Sequence, residues 1–274
     1  MTATPPRRAI VFSDVHLSVT RDDRRRIDSF VEFLRRIDPD RTARVIILGD
    51  LFDFWFEYKH VIFSGYFDVL RAFADLGDHG VECHFICGNH DFWAGRFLRD
   101  HLGFHIHTKP VTLEFGTKRV LFVHGDGINP RDIGYRLYKR VARARPVVWL
   151  FGLLHPDWAM AIARAVSRGS RRMTQAEELS TGPEVQPLRE FARRTLAQGG
   201  PDVVMCGHSH YPVREEFPTP NGTGLYLNTG DWLYHQSYVA WDGDEFRLLR
   251  FPSDSPGCEV AGREAQPPVE QRQK

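Results

Sequence analysis

Short β-branched runs alternate with longer stripes of period three to four along the first hundred residues. Ala9–Phe12, Arg44–Leu48 and Cys83–Cys87 are apolar runs that predict strands. Between them, Asp23–Ile37 sets Ile27, Phe30, Val31, Leu34 and Ile37 on one stripe, and Tyr66–Leu76 does the same with Phe67, Leu70, Phe73 and Ala74. Both stretches predict amphipathic helices. Ala94–His101 predicts a short helix. Val111–Phe115 and Arg119–Val123 flank Gly116-Thr117-Lys118 and predict a hairpin. Val185–Ala197 has the helical period, Asp202–Cys206 reads as a strand, and Leu225–Asn228, Tyr238–Trp241 and Phe246–Phe251 follow as closely spaced strands. The polar stretch 252–274, with Pro, Gly and charge, predicts a loose tail.

The early strand–helix order argues a partly parallel sheet covered by helices, with antiparallel strands added by the hairpins. Periodicity does not count the sheets. The expected fold class is α/β, a four-layer α/β sandwich of two packed mixed β-sheets flanked by helices, spanning 8–251. Gly127 to Gln175 interrupts the alternation with three helical patterns, and is expected to be a helical lid insertion. Tyr135, Tyr138, Val141 and Ala142 form the first pattern, the apolar run Val147–Leu154 the second, and Trp158, Ile162 and Val166 the third. The insertion holds ten Lys/Arg and two acidic residues, Asp132 and Asp157, in a chain whose formal net charge is +1.

That overall balance argues against a nucleic-acid binder working by bulk charge. Cys83 and Cys87 would share one face of a strand, and their spacing matches no common zinc motif, so buried reduced thiols are expected. Met1–Arg8 has no apolar signal core, and no run approaches the ~18 apolar residues of a spanning helix. A soluble protein in a reducing compartment is the expectation.

Five short blocks carry the chemistry, each after an expected strand: Asp14-Val15-His16, Gly49-Asp50-Leu51-Phe52-Asp53, Gly88-Asn89-His90-Asp91, His124-Gly125-Asp126 and Gly207-His208-Ser209-His210. Polar groups at the carboxyl ends of strands converge on one crevice. The donors are Asp, His and Asn without Cys, which suits Mn²⁺, Fe²⁺, Zn²⁺ or Mg²⁺. The spacing of Asp14/His16 and of His208/His210 would put both side chains on the same side of an extended segment. Asp50 could bridge two ions. The remaining eight histidines lack such context and are read as ordinary surface or core residues.

The ordered set resembles the calcineurin-like metallophosphoesterase superfamily. That resemblance implies the two-sheet sandwich and two divalent ions. One would be held by Asp14, His16, Asp50 and His210, the other by Asp50, Asn89, His124 and His208. It implies that His90 contacts the phosphoryl oxygen, with Asp91 orienting it and Asn89 completing the catalytic group. Asp53 and Asp126 would support the ligands.

Gly49–Phe56, Gly88–Phe92, His124–Gly127 and the later Asp132, Gly134 and Tyr135 are similar to the UDP-2,3-diacylglucosamine pyrophosphohydrolases of lipid A biosynthesis. This finer resemblance implies a lipid-linked sugar nucleotide substrate, Mn²⁺, and peripheral contact with the cytoplasmic face of the inner membrane. Asp132, Tyr135, Arg164, Ser167, Arg168 and Arg171 would bind substrate. Trp149, Leu150, Phe151, Leu153 and Leu154 would wall its acyl chains. One departure is His90, where the best-known branch of that family carries Arg. A broad phosphodiesterase or nucleotide hydrolase, a nuclease, and a non-catalytic module on the same fold are the alternatives.

Overall fold

The computed structural model describes residues 8–18, 23–130, 133–162, 182 and 184–252. Its first sheet has the order β11-β10-β1-β2-β3-β4 and its second the order β5-β6-β7-β9-β8. The strands are β1 (Arg8–Phe12), β2 (Thr42–Ile47), β3 (Glu82–Ile86), β4 (His105–His107), β5 (Val111–Phe115), β6 (Lys118–Val123), β7 (Val203–Cys206), β8 (Val213–Thr219), β9 (Gly222–Asn228), β10 (Ser237–Trp241) and β11 (Phe246–Arg250). Both sheets are mixed. β1 to β4 run parallel, with β10 and β11 joined antiparallel. In the second sheet β6, β7 and β9 are parallel, with β5 and β8 antiparallel on its edges.

Alternation along the strands divides the core in two ways. Val11, Ile46, Leu48 and Ile86 face the second sheet and meet Val120, Phe122, Met205 and Leu227. Their neighbours Phe12, Val45, Ile47, Cys83 and Phe85 face outward. There they are covered by α1 (Arg24–Arg36), α2 (Phe67–Asp78) and α3 (Arg96–Leu102) through Phe30, Leu34, Phe73 and Leu98. On the far side, α7 (Val185–Ala197) lays Leu188, Ala192 and Leu196 on Val204, Cys206 and Tyr226. The order helix, sheet, sheet, helix is the expected four-layer sandwich. Cys83, Cys87 and Cys206 are free and buried.

Two strands escaped the sequence reading, β4 and β8. β4 is three residues long with two histidines, and β8 (VREEFPT) carries three charges and a proline. Both are edge strands, where one open side removes the demand for continuous apolar character.

The insertion contains α4 (Ile133–Ala142), α5 (Arg145–Phe151) and helical residues 156–162, here α6. It rests on the loops after β2 and β3. The Phe151 ring lies 5.7, 5.0 and 4.9 Å from those of Phe54, Phe56 and Trp93. Trp93 Nε1 donates to the carbonyl of Ala142 at 3.1 Å. Lys139 on α4 forms an ion pair with Asp126, just beyond β6. Only part of the expected apolar wall faces inward. Phe151 and Leu154 are half-buried, whereas Trp149, Leu150 and Leu153 are 68%, 63% and 63% exposed. α5 is too short for more than one packed face, and that face is taken by the aromatic loops.

Candidate metal centre

Because β1, β2 and β3 run parallel in one sheet and β6 and β7 in the other, their carboxyl ends deliver the five blocks to one end of the sandwich. The chain turns sharply there. Asp14, His16, Asp50, His208 and His210 all have left-handed backbone, with φ of 53°, 49°, 53°, 68° and 58°. The alternating pairs therefore do not lie on extended segments, as their spacing alone suggested. Left-handed kinks at both members of each pair, not a strand pleat, aim the side chains. Non-glycine residues accept this conformation at a cost, and such positions cluster at functional sites.

Each carboxylate is pinned by one oxygen and presents the other. Asp14 Oδ2 accepts the Ser13 hydroxyl and the His208 N–H, the latter at 2.9 Å. Asp14 Oδ1 is buried without a hydrogen-bond partner. Asp50 Oδ1 accepts the His90 N–H at 2.8 Å. Its Oδ2 lies 3.9 Å from His16 Nε2 and 3.5 Å from His124 Nε2.

In four imidazoles Nδ1 faces away from the centre toward an outer oxygen, and in His124 and His90 it is hydrogen-bonded there. His124 Nδ1 donates to the Leu48 carbonyl at 2.5 Å, and His90 Nδ1 to that of Asp53 at 3.0 Å. His16 Nδ1 faces Asp53 Oδ1 at 3.3 Å, and His210 Nδ1 faces Asp231 Oδ2 at 3.6 Å. Backbone carbonyls and carboxylates on the far nitrogen are the usual outer support of metal-binding histidines. His16 Nε2 and His210 Nε2 approach to 3.2 Å, and Asn89 Oδ1 lies 3.0 Å from His124 Nε2.

The electrostatics match a site built around positive charge. Burial pushes a histidine down, but the carboxylates of Asp14, Asp53 and Asp50 around His16 reverse this and lift it to about 10. Asp50 does the same for His124, also to about 10. His208 and His210 are held at about 4 by burial. Asp14 and Asp50 stay below the usual carboxylate range in spite of burial, because histidines surround them.

These residues fit divalent ions. Asp14, His16 and His210 each offer a ligand atom, all within 4.8 Å of one another, and so do Asp14, Asp50 and His124, and His16, Asp50 and His90. The orphaned Asp14 Oδ1, the facing Nε2 pair and the O/N donor set all call for a cation. Asp14, His16 and Asp50 each belong to two of the three groups, which joins them into one cluster. His208 stacks edge-on to His124, with ring centroids 5.1 Å apart.

A family model for calcineurin-like phosphoesterases matches residues 7–212. The chain belongs to the calcineurin-like phosphoesterase family. This phosphoesterase is a hydrolase. It is 33% identical over 77% of its length to a UDP-2,3-diacylglucosamine hydrolase of Porphyromonas gingivalis, covering 84% of that protein. Proteins of the same name from Aeromonas salmonicida (31% identity, 87% of this chain, 91% of that one) and Edwardsiella ictaluri (27%, 89% and 92%) are also similar.

The sequence reading of this phosphoesterase differs from the structure at Asp91. Its carboxylate does not touch His90. Oδ1 accepts the Gly88 N–H at 2.9 Å and Oδ2 the Leu51 N–H at 2.8 Å, clasping the loops after β3 and β2 together. Burial, with Asp50 beside it, lifts Asp91 to about 7. The Asp53 carbonyl orients His90 instead. Asp231 was missed altogether. It is fully buried, faces His210, and accepts the N–H groups of Tyr234 and His235 at 3.1 and 2.9 Å. Its signal was present: Thr229-Gly230-Asp231 follows β9 just as the other blocks follow their strands. Of the expected substrate-binding residues, Asp132, Arg164, Ser167, Arg168 and Arg171 lie outside the described residues, and Tyr135 is a position on α4.

Proposed function

We propose that this phosphoesterase hydrolyses the pyrophosphate of UDP-2,3-diacylglucosamine, giving UMP and 2,3-diacylglucosamine 1-phosphate in lipid A biosynthesis. The observation that carries the reading is an aromatic wall continuous with the metal centre. Phe54, Phe56 and Trp93, on the two loops that supply Asp50, Asn89 and His90, pack together with Phe151 of α5. A diacylated sugar nucleotide needs an apolar surface directly beside the groups that handle its phosphates. The names of the relatives point the same way.

Asp14, His16, Asp50 and His210 would hold one divalent ion, and Asp50, Asn89, His124 and His208 the second, with Mn²⁺ as the proposed metal. Such a pair activates water and neutralises phosphoryl charge. The chain's own contribution is orientation. Asp53 and Asp231 fix the rings of His16 and His210, Leu48 fixes His124, and His90 Nε2 is set to meet a phosphoryl oxygen or the leaving group.

We also propose peripheral membrane contact from the cytoplasmic side. Leu137, Val141, Trp149, Leu150, Trp158 and Ile162 on α4 to α6, with Leu153 in the turn after α5, are exposed. Arg140 and Arg145 stand among them, also exposed. Apolar side chains beside cations suit an anionic lipid surface. Among the described residues no helix is long and apolar enough to cross a membrane.

The test is hydrolysis of UDP-2,3-diacylglucosamine by Mn²⁺-loaded protein in detergent, beside bis(p-nitrophenyl) phosphate. Release of UMP and the lipid phosphate far faster than diester cleavage is expected. Diester cleavage with the lipid substrate untouched would leave a broad phosphodiesterase, the reading that a histidine at position 90 favours.

A further inference from the structure

We propose that the loop between β9 and β10 receives the nucleoside end of the substrate, and that His235 Nε2 accepts a ribose hydroxyl there. This placement rests on the sugar nucleotide proposed as substrate. In the first sheet β10 lies beyond β1 from β2 and β3, and in the second β9 lies beyond β7 from β6. The lid and the aromatic wall rest on the loops after β2 and β3 and on Asp126, just beyond β6. Residues 229–236 run from β9 to β10, so this loop borders the metal centre on the opposite flank. A pyrophosphate at the centre, with its acylated sugar against the aromatic wall, points its other end toward this loop.

The loop is held in one shape. The Trp232 N–H donates to the Asp14 carbonyl at 3.1 Å, which ties the loop to the first ligand block. Asp231 Oδ1 accepts the N–H groups of Tyr234 and His235 and lies 3.0 Å from His235 Nδ1. Gln236 closes the turn with left-handed backbone, φ 48°, and its carbonyl accepts the Phe251 N–H at 2.9 Å. The His235 ring therefore stands on the same buried carboxylate whose other oxygen faces His210. An oxygen that takes two backbone N–H groups is an acceptor, so the proton of the third contact sits on Nδ1. In the neutral ring that leaves Nε2 with a lone pair.

Nε2 is the polar atom of this ring left to a ligand. It makes no hydrogen bond among the described residues, and unlike Asp231 Oδ2 it is not sealed from solvent. The side chain is 14% exposed, which puts the free edge of the ring at the rim of the crevice. The Tyr211 ring, one residue past His210, meets the His235 ring edge-on at 6.1 Å, and Tyr234 is 59% exposed. Phosphoryl oxygens only accept, so a bare Nε2 selects a hydroxyl over a phosphate. A fixed imidazole acceptor with aromatic rings at hand suits a ribonucleoside, whose sugar offers hydroxyl donors and whose base offers a flat face. His90 repeats the arrangement on the other flank, with Nδ1 tied to the Asp53 carbonyl.

The experiment uses the full Mn²⁺-loaded chain, with UMP and 2′,3′-dideoxy-UMP as inhibitors of bis(p-nitrophenyl) phosphate hydrolysis. The two probes share phosphate and base, so their ratio reads the ribose hydroxyls alone. Wild type is expected to bind UMP about tenfold more tightly, the worth of one hydrogen bond. His235→Asn keeps a donor for Asp231 near the position of Nδ1 but lacks Nε2, and should bind both probes alike. His235→Gln can set an amide oxygen near the position of Nε2 and should recover part of the preference. Metal per chain and circular dichroism should match wild type in both variants. The same preference in wild type and His235→Asn, or none in wild type, would overturn the proposal. Loss of bound metal along with the preference would make His235 a support of His210 and overturn it as well. A wild type that separates the two probes but leaves UDP-2,3-diacylglucosamine intact would retire the lipid substrate and keep the nucleoside site.

Discussion

The Nδ1 atom of His90 lies 3.0 Å from the carbonyl oxygen of Asp53. A carbonyl only accepts, so Nδ1 carries a proton and Nε2 is turned toward the centre, where the His90 ring meets that of His16 edge-on at 4.9 Å. From there Nε2 can serve a phosphoryl oxygen or an ion. His90→Ala is expected to lower kcat about 10²–10³-fold, the usual worth of a positioned acid or charge, with bound metal per chain unchanged. Metal analysis beside steady-state kinetics decides it. Loss of one ion in step with activity would make His90 a ligand.

Asp50 is flanked through a single oxygen by His16 and His124. Asp50→Ala should cost at least about 10³-fold in kcat by removing the shared ligand. It should also bind less metal. Turnover near the wild-type rate in a metal-replete Asp50→Ala protein would show that the bridging assignment is wrong.

Gly88 passes directly over Asp50. A Cβ there would overlap the Asp50 carboxylate and stand 2.7 Å from its backbone nitrogen. Gly88→Ala must therefore push the β2 loop away from the β3 loop, against the hydrogen bonds of Asp91 to Gly88, Leu51 and Phe52. A loss of about 1–3 kcal/mol in unfolding free energy is expected, as for other overpacked sites, together with loss of metal. Urea unfolding and metal analysis read both. Wild-type stability with full metal content would mean that the loops part without cost.

Burial and the facing His105, His107 and Arg44, opposed by Glu82, hold His84 at about 4, below the ordinary 6.5. Burial and His105 also lower His107. The unfolded chain then binds protons that the folded one refuses. Stability from this group is fully present above pH 6.5 and drains away as pH falls toward 4. In chelator, the urea midpoint of wild type should fall more steeply than that of His84→Gln over that window. The difference is about 1 kcal/mol, kept small because the edge opens to solvent. Parallel curves would remove His84 from the account.

Trp149 and Trp158 are each 68% exposed on the insertion. Replacing both with Ser should lower binding to anionic phospholipid vesicles at least about tenfold, by removing buried apolar area. Diester hydrolysis should not change. Vesicle flotation of the two proteins is the measurement, and equal flotation would remove these residues from any lipid contact.

The sandwich and the five blocks were readable because each block follows a short, nearly continuous apolar run. The apolar residues announce the strand, and the first polar residues after it announce the crevice. What escaped had no such announcement. His105-Ile106-His107 alternates the wrong way for a core strand, and β8 carries Glu215, Glu216 and Pro218. The role of Asp91 toward His90 came from the family resemblance and not from any contact. Its partners are the N–H groups of Gly88, Leu51 and Phe52, and Leu51 lies forty positions away, which no local spacing reveals. Asp231 obeyed the same strand-then-turn grammar, but Thr229-Gly230-Asp231 contains no histidine to draw the eye.

The left-handed turns at Asp14, His16, Asp50, His208 and His210 are imposed by strand register, the Asp91 clasp and the Ser13 and Asn228 hydrogen bonds at the sheet ends. Each costs about 1 kcal/mol or more, and that cost is carried by the packing of the two sheets. A substitution deep between the sheets, far from any ligand, therefore loosens the aim of the ligands as well as the fold.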